Sequence, residues 1–446
     1  MLKKQKQHPF LSFAVLPVAL LTISVFSNVA LAAAPKNIIY MIGDGMGPAY
    51  LSGYRYFSND TNTKKVQSTI YDQLWLGMAS SYPDDDTYVT DSAAGATALA
   101  TGVKSYNGAI SVDHNHMPLS TMMMQAKKRG KMNGIVASSQ INHATPASFL
   151  AHNKSRSNYT EIADMYVDYK IDGKPVADLM LGGGQKYFIR DDRNLINELK
   201  QLDYQYADNW QQLDKLTRTP AIALLADVAL PSALDNPVQQ PLAQLTTKAL
   251  QLLSPAEKGF VLMVEGSQID WCGHSNDIAC AMAEMDDFAK AIQVAKDYVD
   301  ANPDTLLIIT ADHETGGLSL GANGVYEWRT DKIKQIRNTA LVIADKMSKA
   351  ETDKQALQLW HTLTSMALSE EESSLLLAAK ATSSKALTKQ IKAIINEKTH
   401  TGWTSSGHTA IDIPVLAYGK WKDDFIGFQD NTDIAKKIMH YIEQTK

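Results

Sequence analysis

The sequence predicts an α/β fold, namely a three-layer α/β/α sandwich around a mostly parallel central sheet, with a helical insertion near the C-terminal part. Short apolar runs bounded by glycine or acidic residues alternate with helical patterns, as in proteins with buried parallel strands. Several of these runs end at residues of the metal-ligand type, and open α/β sheets bind ligands at the carboxyl ends of their strands. After Gly321 the strand pattern gives way to Lys, Glu, Ala, Leu and Ser at helical spacing.

Five apolar runs are predicted as buried parallel strands, with helices between them. The strands are residues 37–42, 134–138, 259–264, 305–310 and 413–418, and the helices include residues 92–101, 119–129, 192–202 and 279–299. We therefore assign residues 33–320 to an α/β core and 321–400 to a helical insertion. Residues 401–446 then return to the core with the final strand.

The first 32 residues are typical of an export signal. Three lysines within the first six residues precede the apolar, uncharged stretch 10–26, and Ala30-Leu31-Ala32 offers small residues for cleavage after Ala32. The alternative is an uncleaved membrane anchor, which Pro17 and the Ala-rich exit disfavour. The prediction is a periplasmic or secreted protein without membrane attachment after signal removal.

The charge balance is mildly acidic. The chain has 43 Lys and Arg against 48 Asp and Glu, a formal net charge of −5. Loss of the three lysines in the predicted signal leaves 40 against 48, or −8. A broad basic surface for nucleic acid or anionic lipid is therefore not expected.

Cys272 and Cys280 are the only cysteines. Export would place them in an oxidising compartment, where a local disulfide could brace the loop that carries His274. Their spacing of eight residues leaves both the disulfide and free thiols open.

Ser92 is the candidate nucleophile. It follows Asp91 and opens a run of small residues, Ser92 to Ala98, that resembles a helix start, where free N–H groups favour a phosphate oxygen and a developing alkoxide. An ordinary helix-capping serine is the alternative. No histidine lies near Ser92 in sequence, so activation by a metal ion is the economical mechanism.

The candidate metal ligands are dispersed along the chain. Asp44 lies in a glycine-rich turn after the first predicted strand, and Asp270 and His274 have the spacing that places two ligands on one face of a helical turn. Solvated acidic turns, or an Asp-His pair that only supports a ligand, are the alternatives. The full set consists of Asp44, Glu265, Asp270, His274, Asp312, His313 and His408.

Two further residues are candidates for phosphate and hard-ion binding. Arg156 can hold a phosphate with two parallel hydrogen bonds, and Thr145, in His143-Ala144-Thr145-Pro146, can offer a hydroxyl to a magnesium-like ion. Three other patterns are discounted as metal or phosphate sites: His114-Asn115-His116, Asp84-Asp85-Asp86 and the glycines at 182–184.

Six motifs in order resemble the alkaline phosphatase family over about residues 36–418. They are Asp-Gly-Met-Gly from Asp44, Thr-Asp-Ser-Ala-Ala from Thr90, His-Ala-Thr-Pro from His143, Glu-Gly-Ser-Gln-Ile-Asp from Glu265, Thr-Ala-Asp-His from Thr310, and Gly-His-Thr from Gly407.

The resemblance implies a homodimer that hydrolyses small phosphate monoesters through a phosphoserine at Ser92. It also implies two zinc ions and one magnesium ion, with Arg156 gripping the phosphate. The implied ligands are Asp270, His274 and His408 for one zinc, Asp44, Asp312 and His313 for the zinc that Ser92 contacts, and Asp44, Thr145 and Glu265 for magnesium.

Two positions depart from the best-known bacterial pattern of the family. His143 stands where that pattern has Asp, and Trp271 stands where it has Lys. Both are expected to lie just outside the metal ligands. Because a neutral imidazole supplies less anionic oxygen than Asp, we hypothesise weaker magnesium retention.

Three rival functions remain at this stage. A phosphodiesterase or a sulfatase is the nearest, although Ser92-Ala93-Ala94-Gly95 lacks the Pro and Arg context in which sulfatases convert their nucleophile to an aldehyde. A non-catalytic phosphate- or zinc-binding protein would need the ligands but not Ser92.

Overall fold

A ten-stranded mixed sheet forms the centre of the protein. The computed structural model describes residues 1–2, 4–7, 9–10, 34–60, 62–63 and 65–444. In spatial order the strands are β16 (Gly427–Asp430), β2 (Trp75–Ser80), β15 (Ile413–Tyr418), β10 (Thr305–Ala311), β1 (Asn37–Gly43), β9 (Phe260–Gly266), β3 (Met132–Gln140), β6 (Leu179–Gly183), β8 (Ala221–Leu224) and β7 (Gln205–Ala207).

Three two-stranded sheets accompany the large one. They pair β4 (Lys170–Ile171) with β5 (Lys174–Pro175), β11 (Glu314–Thr315) with β14 (His408–Thr409), and β12 (Leu318–Leu320) with β13 (Thr401–Trp403). The pair β11–β14 positions the candidate site, because its register places Thr315 opposite His408.

Helices flank the sheet and pack in groups. The helix α12 packs against α1, α10 and α11, whereas α3 packs against α5 and α18. The helices are α1 (Pro48–Ser58), α2 (Ile70–Leu74), α3 (Ser92–Thr101), α4 (Met122–Lys128), α5 (Ala144–Leu150), α6 (Tyr159–Asp168), α7 (Gln185–Phe188), α8 (Leu195–Gln201), α9 (Trp210–Leu213), α10 (Pro241–Leu253), α11 (Gln268–His274), α12 (Ile278–Ala301), α13 (Thr330–Ile333), α14 (Ala340–Ser348), α15 (Asp353–Thr364), α16 (Glu370–Thr382), α17 (Ser384–Thr399) and α18 (Asn431–Gln444), with a 3₁₀ helix at Lys422–Phe425.

The central strands are buried along their whole length. Every residue of β1, β9 and β10 is buried, as expected for parallel strands that are covered on both faces. The register then aligns the candidate ligands. Gly43 lies opposite Ala311, so Asp44 and Asp312 leave the sheet side by side, and Ile42 lies opposite Glu265.

The predicted α/β class with a mostly parallel sheet is confirmed, and each of the five predicted strands is present. The direction predicted for residues 413–418 is wrong, because β15 runs antiparallel to both β10 and β2. An apolar run records burial on both faces but not the direction of the chain. Glu265 also lies within β9 rather than after it.

The four predicted helices are present, three of them with shifted ends. The helix at 92–101 has the predicted bounds, and the other three correspond to α4, α8 and α12. Five strands of the large sheet were not predicted, namely β2, β6, β7, β8 and β16.

Residues 321–400 contain the five helices α13 to α17 and no strand. Within this segment α17 packs against α14 and α16, and α14 packs against α15. The chain from Ala34 onward forms one compact unit, so the boundaries at 33–320, 321–400 and 401–446 stay predictions.

The predicted cleavage site and the apolar stretch before it lie almost entirely outside the described residues. Among the residues that are described, no helix has the length and apolar character needed to cross a bilayer. Cys272 and Cys280 form a disulfide that links α11 to the start of α12, with their Cα atoms 5.5 Å apart.

Candidate active site

Ser92 is the first residue of α3 and is almost fully buried. Its helix begins there because the Asp91 carboxylate caps it by accepting a 2.9 Å hydrogen bond from the N–H of Ala94. The helix approaches the end of β10 closely, since a Cβ at Gly95 would lie only 2.9 Å from the carbonyl oxygen of Asp312. The Ser92 hydroxyl oxygen therefore lies 3.1 Å from Nε2 of His313 and 3.5 Å from Oδ1 of Asp44.

Arg156 is held beside Ser92 by the residue that precedes the serine. Its Nη1 donates a 3.0 Å hydrogen bond to Oδ2 of Asp91, and Oδ1 of the same carboxylate accepts from the N–H of Gly108 at 3.1 Å. Burial opposes ionisation of Asp91, but the Arg156 charge together with hydrogen bonds from Ala94, Arg156 and Gly108 lowers the pKa of the carboxyl. This pair keeps a positive guanidinium at the serine.

His143 and Trp271 lie against this arginine. Nη2 of Arg156 is 3.3 Å from Nε2 of His143, and the Trp271 ring meets the His143 ring edge-on at a centroid distance of 5.8 Å. Burial, together with the nearby Arg156 charge, lowers the pKa of His143 to about 3. The imidazole is therefore neutral, and its Nδ1 is buried without a hydrogen-bond partner among the described residues.

The three candidate histidine ligands share one arrangement of their ring nitrogens. In each of them Nδ1 lies within hydrogen-bond distance of an oxygen that can accept. The distance is 2.6 Å from His274 to Ser406 O, 2.8 Å from His408 to Thr90 O, and 3.2 Å from His313 to Thr315 Oγ1. If Nδ1 is the donor, the lone pair lies on Nε2, as in histidines that bind a metal through Nε2. Burial also lowers the pKa of His313 to about 4, which keeps that ring neutral.

The ligand atoms have the spacing of two tetrahedral metal sites. Metal–ligand bonds of the length found for zinc place two ligand atoms of a tetrahedron about 3.3 Å apart. Around Asp270, its carboxylate oxygens lie 3.4 Å from Nε2 of His274 and 3.5 Å from Nε2 of His408, and the two Nε2 atoms are 3.1 Å apart. Nε2 of His313 lies 3.2 Å from Asp44 Oδ1 and 3.4 Å from Asp312 Oδ2.

A third cluster is also buried and is rich in oxygen. Asp44, His143 and Glu265 bring one ligand atom each within 4.8 Å of one another. Buried atoms without a partner among the described residues include Asp44 Oδ2, Thr145 Oγ1 and Glu265 Oε1. Because buried polar atoms are normally paired, these orphaned oxygens fit a hard cation.

The electrostatics of the carboxylates agree with this assignment. Burial raises the pKa of Glu265 to about 7, and burial with neighbouring acids raises the pKa of both Asp44 and Asp312. Several carboxyl groups packed together cannot all ionise without compensating positive charge. Metal ions would supply that charge.

The structure brings the predicted site residues into one place. Ser92, Arg156, the seven dispersed ligands and Thr145 surround the carboxyl ends of β10, β1, β9 and β3, with His143 and Trp271 at the edge. A tight cluster also joins Asp270 and His408 with His313, so the two predicted zinc ligand sets adjoin one another.

Thr315 was missed by the sequence reasoning. Its hydroxyl donates to Asp270 Oδ1 and accepts from Nδ1 of His313, so it links residues of the two tetrahedral sites. Gly45, with φ of +72°, allows this approach, since a Cβ there would lie 2.7 Å from Thr315 Oγ1. Its place two residues after His313 is a sequence signal, but it does not identify the partners of the hydroxyl.

The positioning role of Asp91 was also missed, although the motif around Ser92 includes it. Its carboxylate caps α3 and holds Arg156 at once.

Comparison with known proteins shows similarity over nearly the whole chain. Residues 35–444 match the family model described as alkaline phosphatase. Alkaline phosphatase 3 of Bacillus subtilis is 42% identical over 447 residues, which cover 96% of this chain and 97% of that protein.

The chain is also similar to solved structures of alkaline phosphatases. A cold-active alkaline phosphatase from the psychrophile Shewanella sp. superposes with a TM-score of 0.86 at 47% identity, covering 91% of this chain and 99% of that one. A second structure is a TAB5 alkaline phosphatase variant in which a histidine is replaced by Asp and which has Mg bound in its M3 site. It superposes with a TM-score of 0.68 at 29% identity, and the match covers 92% of this chain and 99% of that one.

Proposed function

The chain belongs to the alkaline phosphatase family of metal-dependent phosphate monoester hydrolases, and we propose that it acts through a covalent phosphoserine at Ser92 with two zinc ions and one magnesium ion. The observation that carries this proposal is the position of the Ser92 hydroxyl. This hydroxyl lies at the start of the buried helix α3, 3.1 Å from Nε2 of His313, whose lone pair would face it. Asp91, the residue before Ser92, holds Arg156 beside the hydroxyl.

The residues present fit the proposed metals. Asp270, His274 and His408 would hold one zinc, and Asp44, Asp312 and His313 would hold the other, as their tetrahedral spacing supports. When bound, zinc supplies Lewis-acid charge that favours the ionised serine and the departing alcohol oxygen.

Magnesium would be held by Asp44, Thr145 and Glu265, whose orphaned oxygens support a hard ion. His143 adds a nitrogen to this cluster, and magnesium prefers oxygen. The TAB5 variant with Asp in place of a histidine and magnesium in its M3 site supports the same reasoning, and we propose that His143 weakens magnesium binding here.

The chain's own groups perform distinct parts of the reaction. Arg156 would bind two phosphate oxygens through its guanidinium and orient the phosphorus toward Ser92. The Ser92 oxygen would then form a bond to phosphorus as the bond from phosphorus to the alcohol oxygen breaks on the opposite side. The free N–H groups at the start of α3 would stabilise charge on the phosphoryl oxygens.

A second displacement would complete the cycle. Water attacks the phosphorus of phosphoserine from the side that the alcohol left, the bond between phosphorus and the Ser92 oxygen breaks, and inorganic phosphate is released. Arg156 can hold the phosphoryl group through both steps, because Asp91 fixes its position. High pH favours this chemistry, since both nucleophiles react in their ionised forms.

We also propose that the protein is exported to the periplasm or the medium and works as a homodimer. The predicted signal in residues 1–32 and the Cys272–Cys280 disulfide support export, because disulfides persist in oxidising compartments. The homodimer is proposed because the resemblance to the alkaline phosphatase family implies it.

The test is hydrolysis of an aryl phosphate monoester between pH 6 and 11, before and after chelation. We expect activity that rises with pH, disappears on chelation and returns with zinc and magnesium. The Ser92→Ala variant is expected to lose at least about 10³-fold in kcat, while atomic emission still finds its metals.

Two comparisons separate the rivals. Faster turnover of an aryl sulfate or a phosphate diester than of the monoester would refute a monoesterase. An inactive, fully metal-loaded wild type would favour a binding protein.

A further inference from the structure

We infer that Asn107 is a positioning residue that holds the segment before Ser92 and so sets where the Arg156 guanidinium lies relative to the serine. This inference rests on the proposed function. Asn107 lies in the loop between α3 and α4 and is not one of the proposed metal ligands. It would act through Asp91 and Arg156 rather than on the substrate.

The segment before Ser92, residues 87–91, belongs to no helix or strand. Asn107 binds this segment through both polar atoms of its amide group. Oδ1 accepts a 2.7 Å hydrogen bond from the N–H of Asp91, and Nδ2 donates to Val89 O at 3.0 Å and to Thr87 Oγ1 at 3.1 Å. One side chain thus pairs a backbone donor and a backbone acceptor of the same segment, as a neighbouring strand would do. The position of residues 87–91 therefore depends on Asn107.

The backbone of the next residue, Gly108, joins Asp91 to Arg156. The N–H of Gly108 donates to Asp91 Oδ1 at 3.1 Å, and its carbonyl accepts from the N–H of Arg156 at 2.8 Å. Nη1 of Arg156 donates to the other oxygen of Asp91 at 3.0 Å and completes a ring of contacts. Further along, Ile110 and Asn153 exchange two backbone hydrogen bonds of 2.9 Å between the same two segments.

The protein rather than solvent sets the geometry of the Asp91–Arg156 pair. The two side chains are only 24% and 22% exposed, and the Asp91 carboxylate also caps the helix that begins with Ser92. A shift of Asp91 would therefore move the guanidinium relative to the serine hydroxyl. A misplacement of about 1 Å between a nucleophile and its bound target can lower a rate about 10²-fold. Loss of the Asn107 amide would leave Asp91 N–H and Val89 O without these partners and permit such a shift.

A double-mutant cycle tests whether Asn107 acts through Arg156. The measured quantity is kcat/KM for an aryl phosphate monoester, with zinc and magnesium in excess, in the wild type, Asn107→Ala, Arg156→Ala and the double variant. We expect Asn107→Ala to lower kcat/KM about 30-fold when Arg156 is present and about threefold when it is replaced. Inhibition by inorganic phosphate should also weaken about tenfold in Asn107→Ala, because the same guanidinium would hold the free anion.

Asn115→Ala is the matched control, because Asn115 is an exposed asparagine in the same loop. Its kcat/KM should equal that of the wild type. Asn107→Leu is a second variant that removes the amide but keeps the volume of the side chain, and it should repeat the result of Asn107→Ala. Melting curves and atomic emission measure the folding and the zinc content of every variant, since Thr90 O in the same segment lies 2.8 Å from Nδ1 of His408.

The outcomes separate this inference from the proposed function. Equal factors for Asn107→Ala with and without Arg156, or an unchanged kcat/KM, would overturn the inference alone. Loss of zinc or of the melting transition in both Asn107 variants would also overturn it, because the residue would then serve the fold or the metals. Failure of the metal-loaded wild type to hydrolyse the ester would overturn the proposed function itself.

Discussion

Replacing Thr315 with Val tests whether one hydroxyl organises both of the proposed tetrahedral metal sites. The hydroxyl donates to Asp270 Oδ1 and accepts from Nδ1 of His313 at 3.2 Å, and both partners are buried. Valine keeps the shape of the side chain, which matters because the neighbouring backbone at Gly273 leaves little space around Thr315. The variant therefore removes two hydrogen bonds with little change in packing.

The expected effect is on zinc affinity. Loss of a partner behind a metal ligand typically lowers metal affinity 10- to 100-fold, or about 1.4 to 2.7 kcal/mol. The His313 ring would also lose the contact that holds the proton on Nδ1, so the tautomer with a free Nε2 lone pair becomes less populated. Because Thr315 contacts one residue from each site, we expect both zinc equivalents to bind more weakly.

Competition with a chromogenic chelator measures the two zinc affinities directly, and Thr315→Ser is the control. Serine retains the hydroxyl and should restore zinc binding to within about threefold of the wild type. The reasoning would be refuted if the valine variant bound both zinc ions as tightly as the wild type. Equal losses in the valine and serine variants would instead point to packing by the threonine methyl group.

Two further predictions concern ionisable groups. His143→Asp should raise magnesium affinity about tenfold, because a carboxylate replaces an unpaired neutral nitrogen beside Asp44 and Glu265; magnesium titration followed by calorimetry checks this, and an unchanged affinity would contradict it. Glu284 is a buried acid on α12 that accepts a 2.6 Å hydrogen bond from the N–H of Ala233, and burial raises its pKa to about 8. A raised acid pKa favours the folded state below the unfolded pKa, and this contribution is lost as the pH rises through the folded pKa. The free energy of unfolding should therefore fall by up to about 1.4 kcal/mol per pH unit between pH 5 and 8. Glu284→Gln should remove that part of the slope in urea denaturation at matched metal content, and equal slopes in both proteins would show that Glu284 does not titrate there.

The sequence predicted the central part of the fold because its signals are local. Continuous apolar runs mark strands that are covered on both faces, and β1, β9 and β10 are buried throughout. The shorter strands β2, β6, β7, β8 and β16 went unpredicted. Most residues of β2 and three of the four residues of β16 are not buried, so neither has the pattern of a strand that is covered on both faces.

The candidate site was largely predictable for a related reason. Ligands such as Asp44 and Asp312 come directly after buried strands, and parallel strands bring their carboxyl ends to one edge of the sheet. Thr315 could not be recognised in this way. A threonine has no distinctive role until the partners of its hydroxyl are known, and both partners are set by the folded chain.

By itself, the sequence determined the α/β class, the positions of the central buried strands along the chain and a set of candidate metal ligands, since each depends on neighbouring residues in the chain. Only the tertiary structure decided the antiparallel direction of β15, the oxygen that Nδ1 of each of the three histidines contacts, and the contact of Thr315 with Asp270. The physical reason is distance along the chain. The pairing of β15 with β10, the Thr90 to His408 contact and the Asn276 to Asn396 contact join segments more than 100 residues apart, and no local pattern records which of these segments will meet.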